Sequence, residues 1–317
     1  MLSYQHAYHA GNFADAHKHA LLIKVLQALK NKNQKLCVLD THAGRGIYHF
    51  SSAEAQKKGE FNNGASALWP LRTSPSPISD YFSILEKHNP SGAQAPDMVS
   101  GREASGAQAP DMNLGREASG ALETYPGSPM LARDILRDTD RLIFSELHPG
   151  EFQELQKTFS GMSNVETVQK NGFEVMMERM PPENRRGLVV IDPPYEIKTD
   201  YADVPRYLQK IYKKWTQGVY FLWYPLLASQ SHMDMLIALR KTVVKDVLIS
   251  EISLDKVPRE GFAMYGSGIA IINPPVTESD VGDVTRFIAA SLPAKARGDV
   301  FWLDNRHISQ ETGLLES

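Results

Sequence analysis

The sequence predicts an α/β protein built on a doubly wound, mostly parallel β-sheet. Short apolar runs of strand length alternate with segments whose apolar residues recur at helical spacing. A glycine-containing loop follows the first apolar run, and a later run at 188–191 ends abruptly in the sequence Asp-Pro-Pro-Tyr. In sheets of this class ligands bind beyond the carboxyl ends of the strands, so both features mark candidate sites.

The first predicted unit is a helix followed by a strand. Asn12 is a candidate N-cap, and after it apolar residues recur at helical spacing: Leu22, Val25, Leu26 and Leu29. Residues 36–40 have the pattern of a short buried strand, and the glycine loop occupies 41–46. This order predicts the start of a Rossmann-like unit.

The alternation lapses after about residue 50 and resumes near 122. We therefore predict one discontinuous domain, 1–50 and 122–305, with an inserted helical subdomain at 51–121 and a tail at 306–317. Within the insertion, residues 91–104 recur almost unchanged as 105–118. Two copies rich in Gly, Ala, Ser and Pro are too few and too polar for a solenoid, which predicts a duplicated, flexible surface loop.

The second half of the chain continues the alternation. Ser128 and Pro129 predict a helix start with Ser128 as N-cap, and strand patterns recur at 141–146, 165–168, 188–191, 219–223, 247–254 and 268–272. Helical patterns separate these strands until the last two, which we expect to form an antiparallel hairpin. With strand 36–40 this makes seven strands, an order typical of a class I, Rossmann-like methyltransferase with an inserted small helical subdomain.

The Asp-Pro-Pro-Tyr sequence predicts a site that methylates an amine on a flat ring. The prolines withhold two N–H donors, so the turn offers mainly acceptors: the Asp192 carboxylate and the Pro193 carbonyl. Two acceptors suit an exocyclic NH₂ group, and Tyr195 offers a ring face on which an unstacked base lies. These three residues are the predicted catalytic residues. Taken alone, the motif also fits a structural Pro-Pro turn.

Residues that follow three successive strands predict S-adenosylmethionine as the cofactor. The glycine loop lacks the third glycine of the dinucleotide fingerprint, and its looser turn at Gly44 suits the carboxylate of this cofactor, with His42 placed beside the methionine part. Glu146 is placed to accept hydrogen bonds from the ribose hydroxyls. Asn171 and Gly172 are placed at the adenine ring, although an Asn-Gly turn needs no functional explanation.

Composition excludes several other classes of protein. A net charge of −3 gives no support for a globally basic nucleic-acid binder, and the single cysteine, Cys37, rules out an internal disulfide framework. The histidines lack metalloprotease spacing, so we expect no metal. Polar residues near the amino terminus replace the apolar core of a signal peptide, and no apolar run approaches membrane length, so we expect a cytoplasmic, monomeric protein without a membrane partner.

A second Pro-Pro sequence, at 273–276, also ends an apolar strand. It reads Asn-Pro-Pro-Val, and Val276 offers no ring for stacking. Its strand is the last in order and distant from the glycine loop. We therefore predict that this look-alike is not the site.

The chain resembles the RlmJ family, whose members methylate the N6 amine of one adenine in 23S ribosomal RNA. The resemblance covers nearly the whole chain and rests on separated motifs in one order. These are 1–6 with 9–12, Lys18-His19, 39–44, 125–129, 146–149, 185–187 and 191–195.

This resemblance implies cofactor contacts and substrate contacts at numbered positions. The cofactor contacts would be His19, His42, Ser128, Glu146, Asn171, Gly172 and Asp192, and the residues near the substrate base would be Tyr4, His6 and Lys18. The chain departs from the family pattern at Asn171, where an acid is common, and in the duplication at 91–118.

The predicted function is therefore transfer of a methyl group from S-adenosylmethionine to adenine N6 in 23S ribosomal RNA. One alternative is a DNA adenine-N6 methyltransferase, which would usually carry a larger recognition domain than residues 51–124 supply. Another is a catalytically inactive scaffold that binds the cofactor or RNA. The intact acceptor residues Asp192 and Glu146 argue against this second alternative.

Overall fold

The computed structural model describes residues 5–90, 120–195, 199–242, 244–255 and 264–303. Tyr4, the duplicated segment at 91–118 and the tail at 306–317 lie outside the described residues. The predictions made for them stay predictions.

An eight-stranded sheet lies at the centre of the described part of the chain, with a separate two-stranded ladder beside it. The strands in chain order are β1 (Cys37–Asp40), β2 (Ile47–His49), β3 (Thr124–Pro126), β4 (Arg141–Ser145), β5 (Val165–Val168), β6 (Gly187–Ile191), β7 (Val219–Leu227), β8 (Val247–Leu254), β9 (Met264–Ile272) and β10 (Ala296–Trp302). The spatial order of the large sheet is β5-β4-β1-β6-β7-β9-β8-β10, and β2 pairs with β3.

Five neighbouring strands, β5, β4, β1, β6 and β7, run parallel, and β9 runs antiparallel between β7 and β8. The strand order reverses between β1 and β6, which is where a doubly wound sheet opens a crevice for ligands. The predicted fold class and the antiparallel pairing of β8 with β9 are therefore confirmed.

The predicted count of seven strands was one too low. The eighth strand, β10, pairs antiparallel with β8 at the edge of the sheet. Its residues are half-buried or exposed throughout, and it begins Ala-Arg-Gly-Asp, so its apolar stretch is only the three residues 300–302.

Helices cover both faces of the sheet. Those with apolar residues in the core on one face include α1 (Phe13–Lys30), α4 (Ser79–His88), α5 (Ser128–Ile135), α6 (Pro149–Thr158) and α10 (Glu278–Ser291). The opposite face carries α7 (Gly172–Arg179), α8 (Thr199–Lys214) and α9 (Ser231–Arg240). The inner parallel strands β1, β4, β6 and β7 are thus largely buried on both faces, as their apolar sequences indicate, whereas the edge strand β5 is half-buried.

The amino-terminal part of α1 lies at the crevice, where Asn12 caps the helix and two short helices lie beside it. Asn12 accepts a hydrogen bond from the Asp15 backbone N–H at 2.9 Å, which confirms the predicted N-cap. The short helices α2 (Ala53–Lys58) and α3 (Ala65–Leu68) follow β2 and pack beside this end of α1. At α5 the N-cap is Gly127 rather than the predicted Ser128, which is the first helical residue.

No described helix is both long and apolar enough to cross a lipid bilayer.

Candidate active site

Two adjoining cavities lie at the carboxyl ends of the parallel strands. The narrower one, of about 210 Å³, is bordered by the glycine loop and by the residues after β4 and β5; we call it the cofactor cavity. The wider one, of about 1030 Å³, is bordered by the start of α1, by α2 and by β7; we call it the wide cavity. Four residues border both cavities: His6, Lys18, Asp192 and Pro194.

The cofactor cavity brings together every described residue for which a cofactor contact was predicted. They come from α1, the glycine loop, α5 and the ends of β4, β5 and β6. They are His19, His42, Gly44, Ser128, Glu146, Asn171, Gly172 and Asp192. This grouping supports the prediction, and the contacts themselves stay predictions.

Glu146 holds the glycine loop in place. Its two carboxylate oxygens accept hydrogen bonds from the backbone N–H groups of Gly44, at 2.8 Å, and His148, at 2.7 Å. Gly44 has a φ of +61°, and a Cβ there would lie 2.2 Å from the Tyr48 hydroxyl. Glycine is therefore needed at this position, and burial raises the pKa of Glu146 despite the backbone hydrogen bonds.

Asn171 and Gly172 form the start of α7. The Asn171 side-chain oxygen accepts from the Phe173 backbone N–H at 2.9 Å, so part of its role is to cap the helix. A Cβ on Gly172 would lie 1.9 Å from the Thr41 carbonyl oxygen, which explains why the glycine loop and α7 can approach so closely.

Asp192 belongs to a buried charge network that starts on α1. The Lys18 ammonium lies 2.6 Å from one Asp192 carboxylate oxygen and 2.9 Å from a carboxylate oxygen of Asp15. The other Asp15 oxygen lies 2.8 Å from His6 Nε2 and accepts the Gly11 backbone N–H. Basic and acidic side chains thus alternate in this network, in the order His6, Asp15, Lys18 and Asp192.

The electrostatics of this network favour the charged forms of Lys18 and Asp15. Burial alone would lower the pKa of Lys18, but the carboxylates of Asp15 and Asp192 outweigh it and raise that pKa above its ordinary value. Burial would likewise raise the pKa of Asp15, yet His6 and Lys18 hold it well below its ordinary value. Lys18 is therefore a fixed cation next to Asp192.

Two predicted cofactor residues are neutral imidazoles. Burial lowers the pKa of His42 to about 4 and that of His19 to about 3. His19 Nδ1 lies 2.9 Å from the Tyr125 hydroxyl, and its ring is 1% exposed. His19 therefore offers little contact surface to a ligand, whereas His42 is only half-buried.

The turn after β6 differs in two respects from the sequence prediction. Pro194, rather than Pro193, borders both cavities, and Pro193 is buried. The Tyr195 ring is only 4% exposed: its φ of +53° turns the side chain into the core, where its hydroxyl donates to the Trp223 carbonyl at 2.9 Å. The expected open ring face is therefore absent at Tyr195, and a substrate role for this residue stays a prediction.

Three residues at the site were not singled out from the sequence. Asp15 anchors Lys18, Trp223 borders the wide cavity, and Asp40 lies beneath the glycine loop with its Oδ2 atom buried and lacking a hydrogen-bond partner among the described residues. Burial raises the pKa of Asp40 to about 6. The acid that precedes the glycine loop was a signal for Asp40, whereas the other two have none in the local sequence.

Among the described residues no group of three or more His, Cys, Asp or Glu side chains is arranged to hold a metal ion. The strand order and the row of acceptors at the carboxyl edge instead define a class I methyltransferase fold. The chain belongs to the RlmJ family, as its motifs predicted. The matching family model, described as "Ribosomal RNA large subunit methyltransferase D, RlmJ", covers residues 33–101 and 111–303.

Individual relatives agree with this assignment. The chain is 34% identical over 306 residues to "Ribosomal RNA large subunit methyltransferase J" of Haemophilus influenzae, covering 96% of this chain and 99% of that protein. The Escherichia coli protein of the same name is 34% identical over 307 residues with the same coverage. A crystal structure of a Legionella pneumophila protein superposes with a TM-score of 0.77 and 30% identity, covering 93% of this chain and 98% of that chain.

Proposed function

We propose that this protein transfers a methyl group from S-adenosylmethionine to the N6 amine of an adenine in 23S ribosomal RNA. The observation that carries the proposal is that Asp192 and Pro194 border both cavities. A donor in one cavity and an acceptor base in the other would meet at this turn. The relatives named as ribosomal RNA large subunit methyltransferases supply the substrate class.

The residues of the cofactor cavity fit S-adenosylmethionine. Carboxylates suit its hydroxyl and ammonium groups, and the glycine loop brings backbone amides to the cavity. Glu146 would hold the ribose, Asn171 and Gly172 the adenine end, and His42 and Gly44 the methionine part. When bound, this cofactor supplies an electrophilic methyl group on a sulfonium centre.

The acceptors after β6 would position the amine. Asp192 and the carbonyl of the Pro193–Pro194 peptide, whose Pro194 borders both cavities, would accept its two N–H bonds and so direct the nitrogen lone pair away from the plane of the ring and toward the methyl donor. These hydrogen bonds strengthen as positive charge develops on nitrogen, so they stabilise the transition state more than the ground state. Because the methylated amine is acidic before it loses its proton, no strong base is needed, and the proton would pass through the Asp192 carboxylate to water.

Lys18 determines which carboxylate oxygen of Asp192 can bind the substrate. Its ammonium already occupies one carboxylate oxygen at 2.6 Å, which leaves the other oxygen for the substrate. Asp192 therefore acts mainly by accepting a hydrogen bond and orienting the amine.

The test is methyl incorporation from labelled S-adenosylmethionine into protein-free 23S ribosomal RNA. We expect wild-type protein to label adenine N6, and Asp192→Ala to lose nearly all of this activity while still binding the cofactor. Duplex DNA serves as the competing acceptor. Labelling of DNA in preference to RNA, or unchanged activity in the Asp192→Ala variant, contradicts the proposal.

A working enzyme of this kind is expected in the cytoplasm, where ribosomal RNA is assembled into subunits. An inactive scaffold would instead bind S-adenosylmethionine without turnover on any RNA, and the same assay separates the two.

A further inference from the structure

The wide cavity has an aromatic wall that sequence reasoning did not assign. Trp223 lies on β7, and the register pairs its neighbour Leu222 with Ile191, the last residue of β6. Trp223 is therefore next to Asp192 at the carboxyl edge of the sheet. Both Trp223 and Tyr195 border the wide cavity, but the Trp223 side chain is partly exposed whereas Tyr195 is only 4% exposed.

Contacts tie the Trp223 ring to the acceptor turn. The Lys18 ammonium, which bonds Asp192, lies 5.8 Å from the centroid of the indole. The Tyr195 ring meets the indole edge-on at 6.0 Å, and the Tyr195 hydroxyl donates to the Trp223 carbonyl. Tyr195 thus packs against Trp223; both residues border the wide cavity, and Trp223 is the more exposed of the two.

A buried chain of hydrogen bonds fixes the orientation of the indole. Trp223 Nε1 donates to the Ser267 hydroxyl at 3.0 Å, and this hydroxyl lies 3.1 Å from His17 Nδ1. His17 Nε2 lies 2.8 Å from the Ser250 hydroxyl, which lies 2.7 Å from that of Thr285. The side chains of His17, Ser250, Ser267 and Thr285 are fully buried.

The available hydrogen-bond donors determine which group donates and which accepts in each of these contacts. Thr285 donates its proton to the Val281 carbonyl, so it accepts from Ser250, and Ser250 in turn accepts from His17 Nε2–H. His17 Nδ1 is then an acceptor for the Ser267 hydroxyl, whose oxygen is left to accept the Trp223 indole N–H. Burial lowers the pKa of His17 to about 3, which keeps the imidazole neutral as this arrangement requires.

We propose that the adenine to be methylated stacks on Trp223, and that Ser267 and His17 act as positioning residues that hold the indole at the required angle. The inference rests on the proposed function. A base in the wide cavity needs an aromatic face beside the Asp192 acceptor, and Trp223 offers that surface. Because the residues that bond the indole are fully buried, they hold the Trp223 ring in one orientation although the ring itself is partly exposed.

The first experiment compares Trp223→Leu, Trp223→Phe and wild type with protein-free 23S ribosomal RNA as acceptor. Losing one stacked base weakens binding about 5- to 150-fold, so we expect Trp223→Leu to raise KM for RNA within this range. Trp223→Phe keeps a ring and should retain most activity. Both variants should bind S-adenosylmethionine normally. If wild type labels RNA and Trp223→Leu keeps its KM and kcat, the inference is wrong while the proposed function stands.

The second experiment separates positioning from general stability. Ser267→Ala and Ser250→Ala each remove a buried hydroxyl that contacts His17, but only Ser267 bonds the indole. We expect similar losses in Tm, with a raised KM for RNA only in Ser267→Ala. Equal KM values in the two variants would contradict the positioning role.

A spectroscopic measurement needs no turnover and covers the case in which Trp223→Leu fails to fold. Adenosine 5′-monophosphate, added to the protein with S-adenosylhomocysteine, should quench part of the tryptophan fluorescence. That part should disappear in Trp223→Phe and persist in Trp302→Phe, which alters an exposed tryptophan on β10. Quenching that survives in Trp223→Phe would overturn the stacking assignment.

Discussion

Two Pro-Pro turns end apolar strands of the same sheet, yet only one of them lies at the cavities. Asp192 follows β6, which runs parallel to β1 and β7, whereas Asn273 follows β9, which runs antiparallel to β7. The carboxyl ends of β6 and β9 therefore lie at opposite edges of the sheet. Strand direction, which the four-residue motif does not contain, separates a candidate catalytic turn from a structural one.

The side chains of the two turns also differ in what they contact. Asn273 donates its amide hydrogens to the carbonyls of Thr216, at 2.9 Å, and Gly218, at 2.6 Å, and so closes the loop before β7. Asp192 contacts Lys18 and borders both cavities. One turn uses its polar group within the fold, and the other presents it to ligands. The predicted exclusion of the look-alike agrees with this placement.

The largest effect should come from Asp192→Asn, which removes the carboxylate but keeps the size of the side chain. We expect kcat for RNA methylation to fall about 100- to 1,000-fold, by analogy with the loss of one transition-state hydrogen bond. The matched control combines Asp192→Asn with Asn273→Asp and Val276→Tyr, which creates the sequence Asp-Pro-Pro-Tyr at 273–276, on the opposite edge of the sheet. Recovery of activity in this combined variant would show that strand direction does not matter.

A smaller effect on activity is expected from Lys18→Met. Asp15 and Asp192 would then lie in one site without the ammonium between them, so the pKa of one carboxyl rises and the activity profile shifts to higher pH. Breaking this pair should cost about 3–5 kcal/mol of stability. The measurements are kcat/KM between pH 5 and 9 and urea unfolding. Lys24→Met, which breaks an exposed pair with Asp80, is the control and should cost less than about 1 kcal/mol.

Asp40→Asn tests whether the buried Asp40 carboxylate, at the carboxyl edge of the parallel strands, destabilises the folded protein when it is ionised. The pKa of Asp40 in the folded protein, about 6, lies above its ordinary 3.8, so the folded state holds a proton that the unfolded chain releases. Wild-type stability should therefore decrease as pH rises from about 4 to 6. The asparagine variant should lack this decrease and be about 2–3 kcal/mol more stable than wild type at pH 8.

Denaturant unfolding at pH 4 and pH 8 measures this difference. A variant that is destabilised equally at both pH values would mean that burial does not raise the pKa of the Asp40 carboxyl in the folded protein.

The smallest effect is expected at the look-alike turn. Asn273→Ala removes two hydrogen bonds and places alanine at a φ of +53°, so it should cost about 1–2 kcal/mol of stability. Because this edge is remote from the cavities, kcat and KM for RNA should not change at a temperature where the variant is folded. A changed KM would indicate that the wider RNA surface extends to this edge.

The local sequence predicted most of the parallel half of the fold. Strands such as β6 are continuous apolar runs closed by prolines, and helix starts such as Asn12 carry a recognisable cap, so short-range chemistry is sufficient to find them. It missed β10 and α10. The strand β10 is an edge strand whose apolar stretch is only three residues long, and its position depends on pairing with β8. The helix α10 has a capping box at Thr277 and Asp280 and buried apolar residues at helical spacing, so a local signal was present there.

The sequence by itself determined the strand-ending acceptors, the glycine loop and the family, because each depends on residues adjacent in the chain. Only the tertiary structure decided that Lys18 meets Asp192, 174 positions away, that Tyr195 turns into the core and that Trp223 faces the wide cavity. These contacts depend on strand order and on the path of α1 across the crevice. Neither property is encoded in a local pattern, since both result from packing helices on two faces of one sheet.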